Sequence, residues 1–103
     1  MQTCEMPQKK ATLSRELIVQ NRSGIHARVS TMIVQRCKEF VSGVSMRNGN
    51  AVADCRSVLD LLSLGASNGT TVHLEAIGED ATEAIAAITA LFEARFNEDE
   101  ESL

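Results

Sequence analysis

Apolar and polar residues alternate without a break through Thr71-Val-His-Leu-Glu-Ala76. Val72, Leu74 and Ala76 therefore share one side of a strand, and Thr71, His73 and Glu75 the other. Such a strand has one face to bury and one that water can wet. A sheet made from strands of this kind needs a covering layer on one side only. That excludes a doubly covered parallel sheet and points to helices packed on a single face.

The rest of the pattern supplies the other strands and the cover. Residues 15–21 have a β-branched centre and run into the turn residues Asn21, Ser23 and Gly24, which predicts a first strand. Val29, Met32, Ile33, Cys37 and Phe40 recur at three- and four-residue spacing, the mark of a helix over 27–38 with one apolar face. Strands at 43–46 and 51–53 flank Asn48-Gly49, a hairpin signal in which both turn positions take positive φ. Ser57 is placed to cap a short helix that Gly65 closes in a left-handed conformation. Asp80 with Glu83 reads as a capping box for the last helix. Its apolar stripe is Ile85, Ile88, Phe92 and Phe96, with Ala81, Ala84 and Leu91 beside it. The order β-α-β-β-α-β-α predicts an α+β fold, an open-faced two-layer sandwich with a four-stranded antiparallel sheet and three helices on one face.

The 103 residues suffice for one domain. Residues 1–13, which hold the only proline, Pro7, read as a disordered leader; 14–96 form the folded domain; 97–103 are an acidic, frayed tail. Glu98, Asp99, Glu100 and Glu101 account for the whole formal charge of −4, so the folded domain is near neutral. That balance, with no Trp or Tyr for stacking, argues against nucleic acid as a partner. No apolar run approaches the ~18 residues of a membrane span, and no signal core follows the first charges. No membrane insertion is expected, and the cytoplasm is the expected location. Cys4, Cys37 and Cys55 form no CxxC motif; Cys37 and Cys55 read as small buried hydrophobes.

The chemistry concentrates at Ser23-Gly-Ile-His-Ala-Arg-Val29, where a histidine opens a helix two residues before an arginine. A helix start presents unpaired backbone N–H groups and roughly half a positive charge. A dianion carried by His26 would be held there by the amides of Ala27, Arg28 and Val29, and Arg28 adds a charge-assisted contact. Neutral imidazole is a nucleophile at cytoplasmic pH, and a phosphoryl group on its nitrogen is easily passed on. Without further information His26 as a plain helix-start residue, with Arg28 a solvated charge, is an equal alternative. His73, on the outward sheet face, has no third ligand with His26 for a metal.

Gly24-Ile-His-Ala-Arg28 resembles the active-site motif of the histidine-containing phosphocarrier protein (HPr) family of the bacterial phosphoenolpyruvate-dependent phosphotransferase system. The segment Arg56-Ser-Val-Leu-Asp-Leu-Leu-Ser-Leu-Gly65 is similar to the family's regulatory-serine helix, and Gly78-Glu-Asp80 to the entry of its last helix. The similarity runs in register over residues 16–96. It implies that His26 accepts a phosphoryl group on Nδ1 from phosphorylated enzyme I and donates it to enzyme IIA-type proteins, with Arg28 holding the group. The protein would be a carrier rather than a free-standing enzyme, with no metal and no organic cofactor, and a monomer.

Val29 stands where the family has proline, which restores an N–H in the first helical turn. Ser57 is both a helix cap and, by resemblance, a site for HPr kinase; Asp60 beside it would repel a phosphoserine. Val58, Leu59 and Leu62, with Met32, are the expected partner contacts, against core packing as the competing explanation. Two other functions compete. One is an HPr-like regulator that binds partners through the Ser57 helix without phosphotransfer. The other is a small metabolite-sensing α+β domain, which would be oligomeric. Sugar and nitrogen-regulatory branches share these motifs.

Overall fold

The computed structural model describes residues 11–97. The elements follow the expected order: β1 (Ala11–Ile18), α1 (Ala27–Cys37), β2 (Gly43–Asn48), β3 (Ala51–Asp54), α2 (Val58–Ser63), β4 (Thr71–Gly78) and α3 (Ala81–Glu93). A 3-10 turn, Arg95–Asn97, follows α3. The strands form one sheet in the order β1-β4-β2-β3, antiparallel throughout. Helix α3 lies across β1 and β4, α2 packs on β3, and α1 packs against both other helices, so the three cover one face.

Alternation decides which face is covered. Val72, Leu74 and Ala76 of β4, Val44 and Met46 of β2 and Leu17 of β1 point into the core, where Val29, Ile33, Leu61, Ile85, Ile88 and Phe92 meet them. On the open face His73 Nδ1 stands 3.6 Å from Glu16 Oε2, its cross-strand neighbour. Cys37 and Cys55 are buried, and Cys4 lies outside the described residues. Among the described residues no helix is long and apolar enough to cross a membrane.

Six details depart from the sequence-based expectation. The first strand begins at Ala11, inside the segment expected as a leader to residue 13, and ends at Ile18 rather than 21. β4 runs on to Gly78, and that extension gives Ala11, Thr12 and Leu13 their partners. The remaining leader, like residues 98–103 of the expected tail, lies outside the described residues. In the hairpin Asn48 pairs with Ala51, so the turn residues are Gly49 and Asn50, one place later than expected. Only Gly49 has positive φ. Asn48 is held back in the strand by its side-chain amide, which donates to the Leu64 carbonyl at 2.9 Å.

Helix α1 ends at Cys37, one residue short of the expected 38, and Phe40, whose spacing continues its apolar period, lies beyond it, partly buried. Asp80 occupies the N-cap of α3 but makes no side-chain cap bond. Its carboxylate accepts instead from the Val41 amide (3.0 Å), the Ser42 amide (2.9 Å) and the Ser42 hydroxyl. These donors, the Ser42 hydroxyl first, hold the Asp80 carboxyl below its ordinary range. Gly78 lets this clasp close, since a Cβ there would come within 2.7 Å of Ser42 Cα.

Phe96 is not on the helical stripe, because α3 ends at Glu93. Arg95, Phe96 and Asn97 have φ of 55°, 51° and 63°, a left-handed turn that folds the ring back into the core. There it is fully buried, edge-on to Phe92 with centroids 5.0 Å apart. Three non-glycine residues in that region cost about 1–2 kcal/mol each. Burial of a whole aromatic side chain is the compensation.

Candidate functional site

The site is built where the β1–α1 connection meets the loop after α2. The Asn21 side chain is fully buried and its amide donates to the Gly24 carbonyl at 2.7 Å, closing a tight turn. Asn68 donates back to the Asn21 carbonyl at 3.1 Å. Gly24, at φ 71°, presses against the neighbouring loop: a Cβ would sit 2.7 Å from the Ala66 carbonyl oxygen and 2.8 Å from Ser67 Cα. The Ile25 amide donates to that same Ala66 carbonyl at 2.9 Å. No side chain but hydrogen fits at Gly24 without displacing the backbone that precedes the histidine.

His26 is the N-cap of α1, in an extended conformation, and its ring nitrogen Nδ1 accepts the Arg28 amide at 3.2 Å. This fixes the tautomer, with the lone pair on Nδ1 and the proton on Nε2. The first helical hydrogen bond runs from the Ser30 amide to the His26 carbonyl at 2.8 Å. The amides of Ala27, Arg28 and Val29 come before it, so the helix itself gives them no acceptor. The imidazole lone pair is thus aimed at the positive end of an eleven-residue helix.

Arg28 is half-buried, and its guanidinium Nη1 donates to the Phe96 carbonyl at 3.2 Å and approaches Met32 Sδ at 3.4 Å. The left-handed turn after α3 therefore delivers an acceptor that holds Arg28 beside the start of α1. Nothing in the local sequence signals this contact. The bracket around Asn21 is partly legible, as a turn-forming residue three before a glycine. Val29 points inward and is fully buried, packing the helix start onto the core.

Ser57 caps α2, its Oγ accepting the Asp60 amide at 3.1 Å. The Asp60 carboxylate turns back to accept the Asp54 amide at 3.1 Å. The leucines of α2 divide: Leu61 and Leu64 are in the core, whereas Leu59 is 75% and Leu62 39% exposed. Val58 and Met32 are partly buried against the core. Helices α1 and α2 pack on each other, so Met32, Val58, Leu59 and Leu62 lie on the pair of helices that flank the site. Among the described residues no cluster of three His, Cys, Asp or Glu could hold a metal.

Residues 13–94 match the family described as the PTS HPr component phosphorylation site. The chain is 38% identical over 87 residues to the phosphocarrier protein HPr of Xylella fastidiosa (strain 9a5c), covering 84% of this chain and 98% of that one. It is 40% identical over 89 residues to the phosphocarrier protein NPr of Proteus mirabilis (strain HI4320), covering 85% and 99%. The crystal structure of HPr-C-His from Thermoanaerobacter tengcongensis superposes with a TM-score of 0.80 at 34% identity, covering 84% of this chain and 97% of that chain. With a histidine and an arginine at the start of α1 and a match across the whole sandwich, the chain belongs to the HPr/NPr family of phosphocarrier proteins of the phosphotransferase system.

Proposed function

We propose that His26 accepts a phosphoryl group from phosphorylated enzyme I on Nδ1 and passes it to enzyme IIA-type proteins, in the cytoplasm and as a monomer. The observation that carries this reading is the Nδ1 lone pair turned toward the N-terminus of α1. As that lone pair forms its bond to phosphorus, the bond from phosphorus to the donor nitrogen breaks. No proton has to leave His26, because Nε2 holds the only one. The oxygens of the transferred group then take over the amide that Nδ1 had engaged, together with those of Ala27 and Val29. Arg28, steadied by the Phe96 carbonyl, supplies charge to the same oxygens.

Such a carrier needs a docking surface and not a substrate pocket. Leu59 and Leu62 offer exposed apolar surface, with Met32 and Val58 at its base, and partners would seat there beside His26. Ser57 is a second acceptor, for an HPr kinase. A phosphate there would replace the Asp60 cap bond and meet the Asp60 carboxylate on the same helical turn.

Incubation with phosphoenolpyruvate and enzyme I tests the proposal. The expected product carries one acid-labile phosphoryl group, which is absent in His26→Ala. A folded protein that stays unmodified under an enzyme I active on another family member would overturn it. That result would favour a regulator that binds through α2 without phosphotransfer.

A further inference from the structure

Charge in the near-neutral domain is unevenly spread. Residues 17–32, 61–74 and 94–97, which carry or brace His26, hold Arg22, Arg28 and Arg95 and not one Asp or Glu. Arg22 and Arg95 are exposed, and Arg28 is half-buried. Arg95 Nε donates to Gln20 Oε1 at 3.4 Å and Arg28 Nη1 to the Phe96 carbonyl at 3.2 Å, so two of the guanidinium groups flank one turn of backbone. The positive end of α1 adds to them. His26 stands at a cationic pole.

The chain leaves the described domain at this same pole. Glu98, Asp99, Glu100 and Glu101 follow Phe96 and Asn97 directly in the sequence, and it is the Phe96 carbonyl that holds Arg28. Successive Cα atoms are about 3.8 Å apart, so on any path Glu98 stays within about 8 Å of the Phe96 Cα and Glu101 within about 19 Å. At an ionic strength of about 0.01 M the Debye length, about 30 Å, exceeds that tether. Covalent geometry alone therefore keeps four carboxylates near the guanidinium groups, at an effective concentration on the order of millimolar.

We propose that the acidic segment 98–101 is the counter-ion of this pole and competes there with any anion that binds at the start of α1. Arg28 and Arg95 are the cations it meets first, because they flank the turn from which it departs. A dianion arriving at His26 has to displace carboxylates from Arg28 before it gains that charge for itself. The segment therefore lowers the affinity of the pole for phosphate and slows acceptance of a phosphoryl group. The effect on phosphotransfer rests on the function proposed above; the competition for an anion does not.

The test compares the natural chain with a full-length variant carrying Glu98→Gln, Asp99→Asn, Glu100→Gln and Glu101→Gln. Inorganic phosphate is titrated into each, and the amide signals of Ala27 and Arg28 report binding. At an ionic strength of about 0.01 M the neutralised variant should bind phosphate about threefold to tenfold more tightly. The Nε–H signals of Arg28 and Arg95 should already differ between the two proteins before phosphate is added. At about 1 M salt, where the Debye length falls to about 3 Å, the affinities should coincide. A third protein, with about twenty Gly and Ser residues inserted between Asn97 and Glu98, keeps every charge but dilutes the segment, and it should recover much of the gain. Equal affinities at low salt would overturn the proposal. So would a lengthened chain that binds phosphate as weakly as the natural one, since net charge and not the tether would then be the cause. With enzyme I the neutralised variant should be phosphorylated faster at low salt; a His26 that takes no phosphoryl group in either protein would sink the carrier function, while the phosphate titration still decides the competition.

Discussion

Arg28 and Phe96 stand 68 residues apart in the chain, yet the guanidinium of one donates to the carbonyl of the other at 3.2 Å. The contact joins the first turn of α1 to the left-handed turn that follows α3. It depends on the Phe96 ring, because only a residue with much to bury offsets three consecutive positive φ values.

Phe96→Ala should therefore cost about 3–5 kcal/mol in denaturant unfolding, through loss of a fully buried ring and its edge contact with Phe92. The same variant should release the Arg28 anchor, so phosphorylation of the remaining folded protein should slow. A folded Phe96→Ala protein phosphorylated at the original rate would show that Arg28 needs no anchor.

Gly24→Ala places a methyl group 2.7 Å from the Ala66 carbonyl oxygen, in a conformation that side chains disfavour. A stability loss of at least about 2 kcal/mol is expected. Phosphorylation of His26 in the folded fraction should fall by about tenfold or more, because the histidine is displaced from the helix start. Amide shifts at residues 25–28 are the direct readout.

The clasp at Asp80 predicts a pH dependence. Its carboxyl is held below the ordinary range in the folded protein, so the unfolded chain binds its proton first as pH falls. The stabilisation is fully present above the ordinary carboxylate pKa near 4 and is lost as pH drops through the lower folded value. Asp80→Asn should be less stable at neutral pH and lose less on acidification. Denaturant midpoints from pH 7 to pH 2.5 check this, and parallel curves would refute it.

Val29 has its side chain in the core and its amide in the first turn of α1, ahead of the first helical bond. Val29→Pro should fold within about 1 kcal/mol of the natural sequence, since proline is accepted in the first turn. It should still accept a phosphoryl group, but with one donor fewer the phosphohistidine should hydrolyse faster. An unchanged lifetime would mean that the Val29 amide does not touch the group.

Much of the architecture was legible because each element announces itself locally. The alternation in β4, the three-and-four spacing in α1 and the Ser57 cap all depend on residues a few places apart. What escaped notice depends on distant partners. Asp80 followed by Glu83 has the form of a capping box, but amides near residue 41, on a separate element, compete for the carboxylate and win. Phe96 keeps the period of α3, yet the core lies where only a reversal of the backbone can bring it. In the hairpin the register was set by Asn48 reaching Leu64, not by the turn dipeptide alone. His26 and Arg28 were identifiable as candidates, whereas the Phe96 anchor and the fit of Gly24 against Ala66 and Ser67 needed three dimensions.

That last fit bears on how recognition and chemistry are joined. The backbone leading into His26 rests on the peptide at Ala66, only two residues after α2 is capped by Leu64. A partner seated on Leu59 and Leu62, as proposed, would therefore lean on the same slab of chain that supports the imidazole. On the proposed function, a protein gripping α2 would take hold of a jig in which His26 is already clamped. Aligning donor with acceptor would then reduce to docking one surface on another.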